Sequence, residues 1–582
     1  MPISEVKKGM KGYGLTVFEG NKVERFDVEI IGVLNQIGPG QDLILARIDA
    51  PIIRRTGVMQ GMSGSPIMID GRVIGALAYS WQFAKEPMVG ITPIDEMLKI
   101  AQAGGGGKAL AAAAPRMSGA EFLDTIANHK SETVFERLMS DFSAQQVSSI
   151  GGAKRIALPM SLSSFAPETI ARFGKYLDAM NFVAVPTGSA TSGAAASGGT
   201  SSDAQQFAPG DPIGAVLLNG AFNVAATGTV THVEGSRVYA FGHPFLDMGE
   251  ISFPMAQAEV IGFMPSLATS FKFANTGKIV GALRQDRAPG IMGYLGESAP
   301  MIPVELTLSG TGPAKTYHVN VVRHPQLSPL MLAMAADSVV ANAQRAAGER
   351  TVVLDSEIKL KGYEPIRLRE GWAGAQARQA IPAYLAVISG YLISNEFSDA
   401  EIESVTVHLR HDDELRIARL VEATLEPPAD GRISPGDTVR VRTLLKPYRG
   451  EAFVETFEVK IPDDQPPGSS YLMVGSGSIA NQIDFTLVPP DPRTLEQVLG
   501  VLRRLRPSTD LTVGLYSTSE GAVTAGVYLP NLPPSIRAVV SDDTSNRAKA
   551  PVRYHAAARD ARSLGYIIDG AVRIDVPIRP SI

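Results

Sequence analysis

The stretch Gly61-Met62-Ser63-Gly64-Ser65-Pro66 sets two serines among glycines just ahead of a proline. It is either a plain tight turn, since Gly, Ser and Pro suit turns for backbone reasons, or a turn that holds a nucleophile. A serine hydroxyl attacks a carbonyl only when a neighbouring base takes its proton. Eight histidines are available for that role. His232 and His318 fall inside alternating apolar runs, His411 in the turn "RHDDE" and His129 at a helix end, where packing or solvent accounts for them. His243 differs. It directly follows an apolar strand, between Gly242, which lets another backbone come close, and Pro244, which stiffens the exit. Taken alone it reads equally well as a turn histidine that caps its strand. A catalytic imidazole also needs a group that fixes its tautomer, and Asp49 closes the apolar run "DLILARI" shortly before the serine turn. By itself Asp49 is a turn aspartate. The chain contains no cysteine, which excludes a thiol nucleophile, a Cys-ligated zinc and a disulfide framework. Serine, threonine and carboxylate chemistry remain.

These residues must be positioned by elements far apart in the chain. Residues 1–103 alternate apolar and polar residues in short runs punctuated by Gly, Asn and Asp, which predicts an antiparallel β unit closed by a helix at "PIDEMLKIAQA". Residues 104–211 read as two joints, "GGGGKALAAAAP" at 104–115 and a Gly/Ser/Ala-rich stretch at 186–212, bracketing a mainly helical insertion. The β pattern returns over 212–325, where "GTVTHV" and "RVYAF", joined by Glu234-Gly235-Ser236, predict a hairpin. Residues 326–465 open with a helical stretch and continue as β runs that suggest a partly sandwich-like accessory module, and 466–582 suggest a smaller α/β module. At 582 residues the chain is long enough for several cores. The expected fold class is mainly β with α insertions.

Two blocks carry a family resemblance: "RIDAPIIRRTGVMQGMSGSPIMIDGRVIGALAY", and "GTVTHVEGSRVYAFGHPF" with the downstream "GKIVGALRQDRAPGIMG". Over these residues the chain resembles the serine peptidases typified by the stage IV sporulation protein B (SpoIVB). In that family the histidine block precedes the serine block, whereas here the halves are permuted, and the family's PDZ-like module is not seen ahead of the peptidase region. The resemblance spans about residues 1–100 and 212–300. It implies a chymotrypsin-like, two-part β-barrel peptidase in which Ser63 is the nucleophile, His243 the general base and Asp49 the acid that orients it. The turn is also similar to the Gly-Asp-Ser-Gly-Gly-Pro turn of trypsin-like enzymes. That similarity implies backbone oxyanion donors at Gly61 and Ser63, with Ser65 a structural hydroxyl. The implied function is serine endopeptidase, hydrolysing protein or peptide substrates through an acyl-enzyme and needing no metal or organic cofactor. The resemblance also implies an extracytoplasmic location, and docking of the two halves within one chain or in trans within a homodimer. The alternative is a non-catalytic envelope scaffold that keeps a peptidase-like fold.

A formal charge of −5 argues against sequence-independent nucleic-acid binding, which needs a basic field. The basic run "VLRRLRP" at 501–507 reads as a solvated helix face. No apolar run has the ~18 residues of a membrane span, and the first residues show no charged-then-apolar leader pattern, so the expectation is a cytosolic protein or one recorded after leader removal. "SGTGPAKT" at 309–316 lacks phosphate-loop spacing, and "HLRHDDEL" reads as a hairpin turn rather than a metal cluster. Arg284 and Asp286 in "GALRQDRAPG" read as a surface ion pair.

Overall fold

The computed structural model describes all residues except 39, 103–116, 145–148, 151, 189–206, 311, 344–349, 429–430, 519–520, 525–526, 530–531, 537–548, 552–553 and 581–582. The joint at 104–115 and most of that at 186–212 therefore lie outside the described residues. The chain divides into two units. The first comprises Met1–Pro115, Glu136–Val304 and Tyr317–Ser338; the second comprises Arg116–Phe135, Glu305–Thr316 and Val339–Ile582.

The first unit begins with β1 (Lys11–Val17), β2 (Val23–Gly38), β3 (Gln41–Asp49), α1 (Pro51–Thr56), β4 (Pro66–Ile69), β5 (Arg72–Ser80) and β6 (Met88–Pro93), followed by α2 (Ile94–Leu98). The pairing runs β4-β1-β2-β3-β6-β5 and returns to β4, a closed six-stranded barrel. Closure removes the free edges an open sheet would leave. Alternation supplies the core: Phe26, Val28 and Ile30 of β2 point inward with Ile44, Ala46, Ile48, Ile67, Ile74, Val89 and Ile91. Gly14 is required by that core, because a Cβ there would lie 2.0 Å from the Phe26 ring.

After α3 (Gly119–Ala127) and α4 (Ser131–Ala144) come β7 (Ser149–Ile150), β8 (Ala153–Arg155), β9 (Leu158–Ser163), α5 (Pro167–Ala179) and β10 (Phe182–Thr187). A second ring follows: β11 (Pro212–Gly220), β12 (Asn223–Glu234), β13 (Arg237–Ala240), β14 (Gly249–Met264), β15 (Phe271–Arg287) and β16 (Gly290–Leu295), paired β11-β12-β13-β16-β15-β14 and back to β11. The β12–β13 hairpin turns through Gly235, whose φ is +61°, with Glu234 opposite Arg237. Its sheet reaches further back in sequence than 212, because β9 pairs antiparallel with β12 and β10 pairs parallel with β9. β17 (Met301–Ser309) and β18 (Lys315–Val322) follow, joined by "SGTGPAKT", and then α6 (Leu327–Ala343).

In the second unit β19 (Thr351–Leu360) pairs with both β20 (Ile366–Ala373) and β21 (Ile402–Asp412), and α7 (Ala377–Ser394) lies between them in sequence. Next come β22 (Ile417–Glu426), β23 (Thr438–Pro447), β24 (Phe453–Lys460), β25 (Gly468–Ser476), α8 (Gly477–Leu487), α9 (Leu495–Leu502) and β26 (Asp510–Thr518). The small β27 (Ala522–Thr524), β28 (Val527–Leu529) and β29 (Lys549–Pro551) precede β30 (Tyr554–Ser563), β31 (Ile567–Asp569) and β32 (Ala571–Ile578). The sheets β24-β23-β22-β31 and β30-β26-β25-β32 share one core, which includes Val439, Phe457, Leu472, Val513, Ile568 and Val576. Residues 466–582, expected as a separate module, thus supply one sheet of a sandwich and add β31 to the other, whose remaining strands precede them. "HLRHDDEL" joins strands of two different sheets rather than turning a hairpin, with His411 bonded to Arg350 at 2.9 Å. "VLRRLRP" is not one exposed helical face: α9 ends at Leu502, and Arg506 packs half-buried against Asp484. Among the described residues no helix is long and apolar enough to cross a membrane.

Candidate active site

Asp49 is the last residue of β3, and α1 begins two residues later with Pro51 at its first turn, where a missing N–H costs nothing. The chain then enters the serine turn. Gly61 and Gly64 take φ values of +91° and +90°, which other residues rarely adopt. The Ser65 hydroxyl donates to the Met62 carbonyl at 2.6 Å, and the Ser65 amide bonds the same oxygen at 3.0 Å. Gly64 N–H donates to Leu77 O and Leu77 N–H to Ser65 O, which fastens the turn to β5. The amides of Gly61 and Ser63 make no hydrogen bond among the described residues.

The second barrel grips the same turn. Thr229 N–H donates to Ser63 O at 2.9 Å, Thr229 Oγ1 to Gly61 O at 3.2 Å and Thr231 Oγ1 to Gly64 O at 2.7 Å. A Cβ on Gly64 would lie 2.1 Å from Thr229 O and 2.5 Å from Phe241 N, so only glycine allows this approach. His243 follows two residues after Phe241, beyond the end of β13. Its own glycine neighbour repeats the device in the opposite direction: a Cβ on Gly242 would meet Ala76 of β5 at 2.7 Å, and Thr92 of β6 donates to Gly242 O. The serine turn and the histidine loop, far apart in sequence, interlock within one chain.

Both side chains are sealed from solvent, Ser63 at 0% and His243 at 1% exposure. Ser63 Oγ and His243 Nε2 are buried without a hydrogen-bond partner. The other ring nitrogen, Nδ1, lies 2.8 Å from the Pro244 carbonyl. A carbonyl only accepts, so Nδ1 carries the proton and Nε2 keeps its lone pair. Burial lowers the imidazole pKa from 6.5 to about 4, opposed by the backbone of Pro244 and of Ile156, so the ring is neutral at pH 7.

Asp49 stands apart from this arrangement. Both of its oxygens are taken by Arg54 of α1, with Nε on Oδ1 at 2.7 Å and Nη2 on Oδ2 at 2.5 Å. The guanidinium holds the half-exposed carboxyl below the usual carboxylate range. The hydrogen bond at His243 Nδ1, expected with Asp49, is made with the Pro244 carbonyl.

The carboxylate that serves the histidine loop is Asp286 of β15. It is fully buried and accepts from the amides of Phe245 at 2.7 Å, Leu246 at 2.8 Å and Met248 at 3.0 Å. Burial pushes its pKa up to about 6 against these three amides. The surface ion pair read from the sequence is corrected accordingly: Arg284 pairs with Glu297 at 2.7 Å, and Asp286 faces inward. Lys272, also unanticipated, is buried on β15 beside the serine turn. Its amide donates to Gln60 O, its Nζ donates to Thr16 Oγ1 at 2.8 Å, and burial lowers its pKa to about 7. Among the described residues no cluster of three metal-ligating side chains occurs.

Residues 2–98 match the family described as SpoIVB peptidase S55. The resemblance read from the sequence is thereby shown over the serine-bearing barrel, from before β1 to the end of α2. The matched stretch contains Asp49, Gly61 and Ser63 and ends well before His243. No curated protein and no solved structure matches the chain.

Proposed function

We propose that the protein is a serine endopeptidase of the SpoIVB kind, with Ser63 as nucleophile and His243 as general base. The observation that carries this reading is the pair of orphaned buried atoms, Ser63 Oγ and His243 Nε2, on interlocking turns. A buried polar group left unsatisfied costs about 1–3 kcal/mol, and two on interlocking turns, not bonded to each other, call for a functional explanation. Nε2 takes the hydroxyl proton as Oγ adds to the peptide carbonyl. The oxyanion falls to the unpaired amides of Gly61 and Ser63, each donor of this kind contributing about 2.7–4 kcal/mol to transition-state stabilisation. The imidazolium then protonates the departing amine, and water, activated by the same nitrogen, hydrolyses the ester. The Pro244 carbonyl fixes the tautomer, and Asp286 fixes the loop that carries the ring. Protein chains outside the cytoplasm are the substrates this reading favours.

Hydrolysis of unfolded casein by the full chain tests the proposal. The wild type should release peptides, while Ser63→Ala and His243→Ala should each lose at least 100-fold in rate. Equal activity in wild type and Ser63→Ala, or no activity under any condition, would leave the non-catalytic scaffold as the better reading.

A further inference from the structure

Ser63 and His243 are both inaccessible, and one short segment of the chain lies against β5 and the serine turn. β8 and the two residues after it run between the barrels. Arg155 pairs with Tyr79 and Lys154 with Ser80 at the end of β5, and Ile156 N–H donates to Ala78 O at 2.9 Å. This end of β5 adjoins the serine turn, to which Leu77 is bonded. The Ile156 side chain is fully buried among core residues of the first barrel that include Met59 and Met62, its backbone faces the His243 ring, and Arg155 lies close enough to repel the ring's charged form. Three residues on, the Pro159 ring stands where a Cβ of Gly61 would be, at 3.1 Å, and its carbonyl accepts from Thr227 of the second barrel. One segment thus runs near the histidine at residue 156 and packs against the expected oxyanion turn with residue 159.

We propose that residues 153–159 are a built-in occupant of the substrate cleft. They add to the β5 edge as an extended peptide would, and the enzyme opens when they leave. This rests on the serine peptidase reading and supplies its regulation and its substrate class. Strand addition to an exposed edge draws affinity from main-chain bonds and specificity from alternate side-chain pockets. The cleft that Ile156 fills accordingly takes extended peptides carrying a β-branched aliphatic residue, preceded by basic ones as Lys154 and Arg155 precede it. Because the occupant is tethered, its effective concentration is high enough to hold the cleft against free peptide without strong contacts. Its strand contact with β5 is short, since β8 is three residues long and begins at a turn through Gly152, while the segment runs on into β9 at residue 158.

The test compares the wild-type chain with Ile156→Gly. Two readouts are taken: hydrogen exchange over residues 76–82 and 153–158, and the rate at which a fluorophosphonate labels Ser63. Ile156→Ala, which keeps a Cβ, is read in the same way should the glycine variant melt below the assay temperature. The proposal expects at least tenfold faster exchange of the segment and at least tenfold faster labelling. Excess synthetic peptide GAKRIALPM, the sequence of residues 152–160, should reverse both. Measurable labelling of Ser63 at equal rates in wild type and variant, or exchange over 153–158 unchanged in both variants, would overturn it. If exchange rises and the peptide restores protection while Ser63 never labels, the occupant stands and the peptidase reading falls.

Discussion

The serine turn and the histidine loop are equally buried, yet they are held in opposite ways. The turn is fastened by its own backbone, through Met62, Ser65 and Leu77. The loop leans chiefly on one side chain, Asp286 of β15, which gathers three amides, with Thr92 of β6 donating to Gly242 O. A backbone-held turn spreads its stability over many weak bonds. A carboxylate clamp concentrates it in one residue, and removing that residue strands several buried donors at once. Substitutions should therefore act unequally on the two halves of the site.

The largest effect is expected at the clamp. Asp286→Ala should destabilise the protein by about 3–5 kcal/mol in chemical denaturation, since three buried amides lose their acceptor together, and should abolish His243-dependent activity. The two buried acid–base groups of this half also give pH slopes of opposite sign. Asp286 keeps its proton in the fold up to about pH 6 but releases it near 3.8 when unfolded, so its contribution to stability falls as pH rises through that window. His243, with its pKa lowered to about 4, contributes stability that rises with pH between about 4 and 6.5. Asp286→Asn should remove the falling slope and leave the rising one.

Next in size is Lys272→Met. A buried ammonium with one hydroxyl partner is costly, so the variant should be more stable by about 1–3 kcal/mol at pH 6. Between pH 7 and 10.5 the folded wild type has given up a proton that the unfolded chain still binds, so wild-type stability rises with pH and the advantage should shrink. Thermal melts at pH 6 and pH 10 check this. On the serine side, Ser65→Ala removes one hydrogen bond to Met62 O and should cost about 1 kcal/mol. Asp49→Asn should be the mildest, under about 1 kcal/mol as for other exposed ion pairs. Casein hydrolysis should persist in Asp49→Asn, because Pro244 O rather than Asp49 meets the imidazole. Loss of activity there, with the fold intact, would return the orienting role to Asp49.

The same contrast explains what could be read from the sequence. The serine turn announced itself because its determinants are local: glycines at positive φ, a proline exit and alternating strands on either side. Both β regions and the hairpin at 234–236 were legible for the same reason. Asp286 was not. In "GALRQDRAPG" it looks like one more polar residue on a strand, and only its register opposite Gly249, under the loop at 245–248, turns it inward. Lys272 defeats alternation outright: Phe271 and Phe273 are half-buried while the lysine between them is covered by the first barrel. Asp49 misled in the other sense, since nothing in the spacing shows that Arg54, one helical turn on, will take its carboxylate. The segment at 153–159 is too short for periodicity to mark, and the shared sandwich core crosses a Pro-rich stretch that reads as a boundary.

The most direct test is mass-spectrometric mapping of fluorophosphonate adducts on the full chain across pH 3–8. The account predicts one adduct, on Ser63, absent in His243→Ala and retained in Ser65→Ala, with a wild-type rate that falls only as pH drops toward about 4. An adduct elsewhere, or one on Ser63 that forms as quickly without His243, would contradict it.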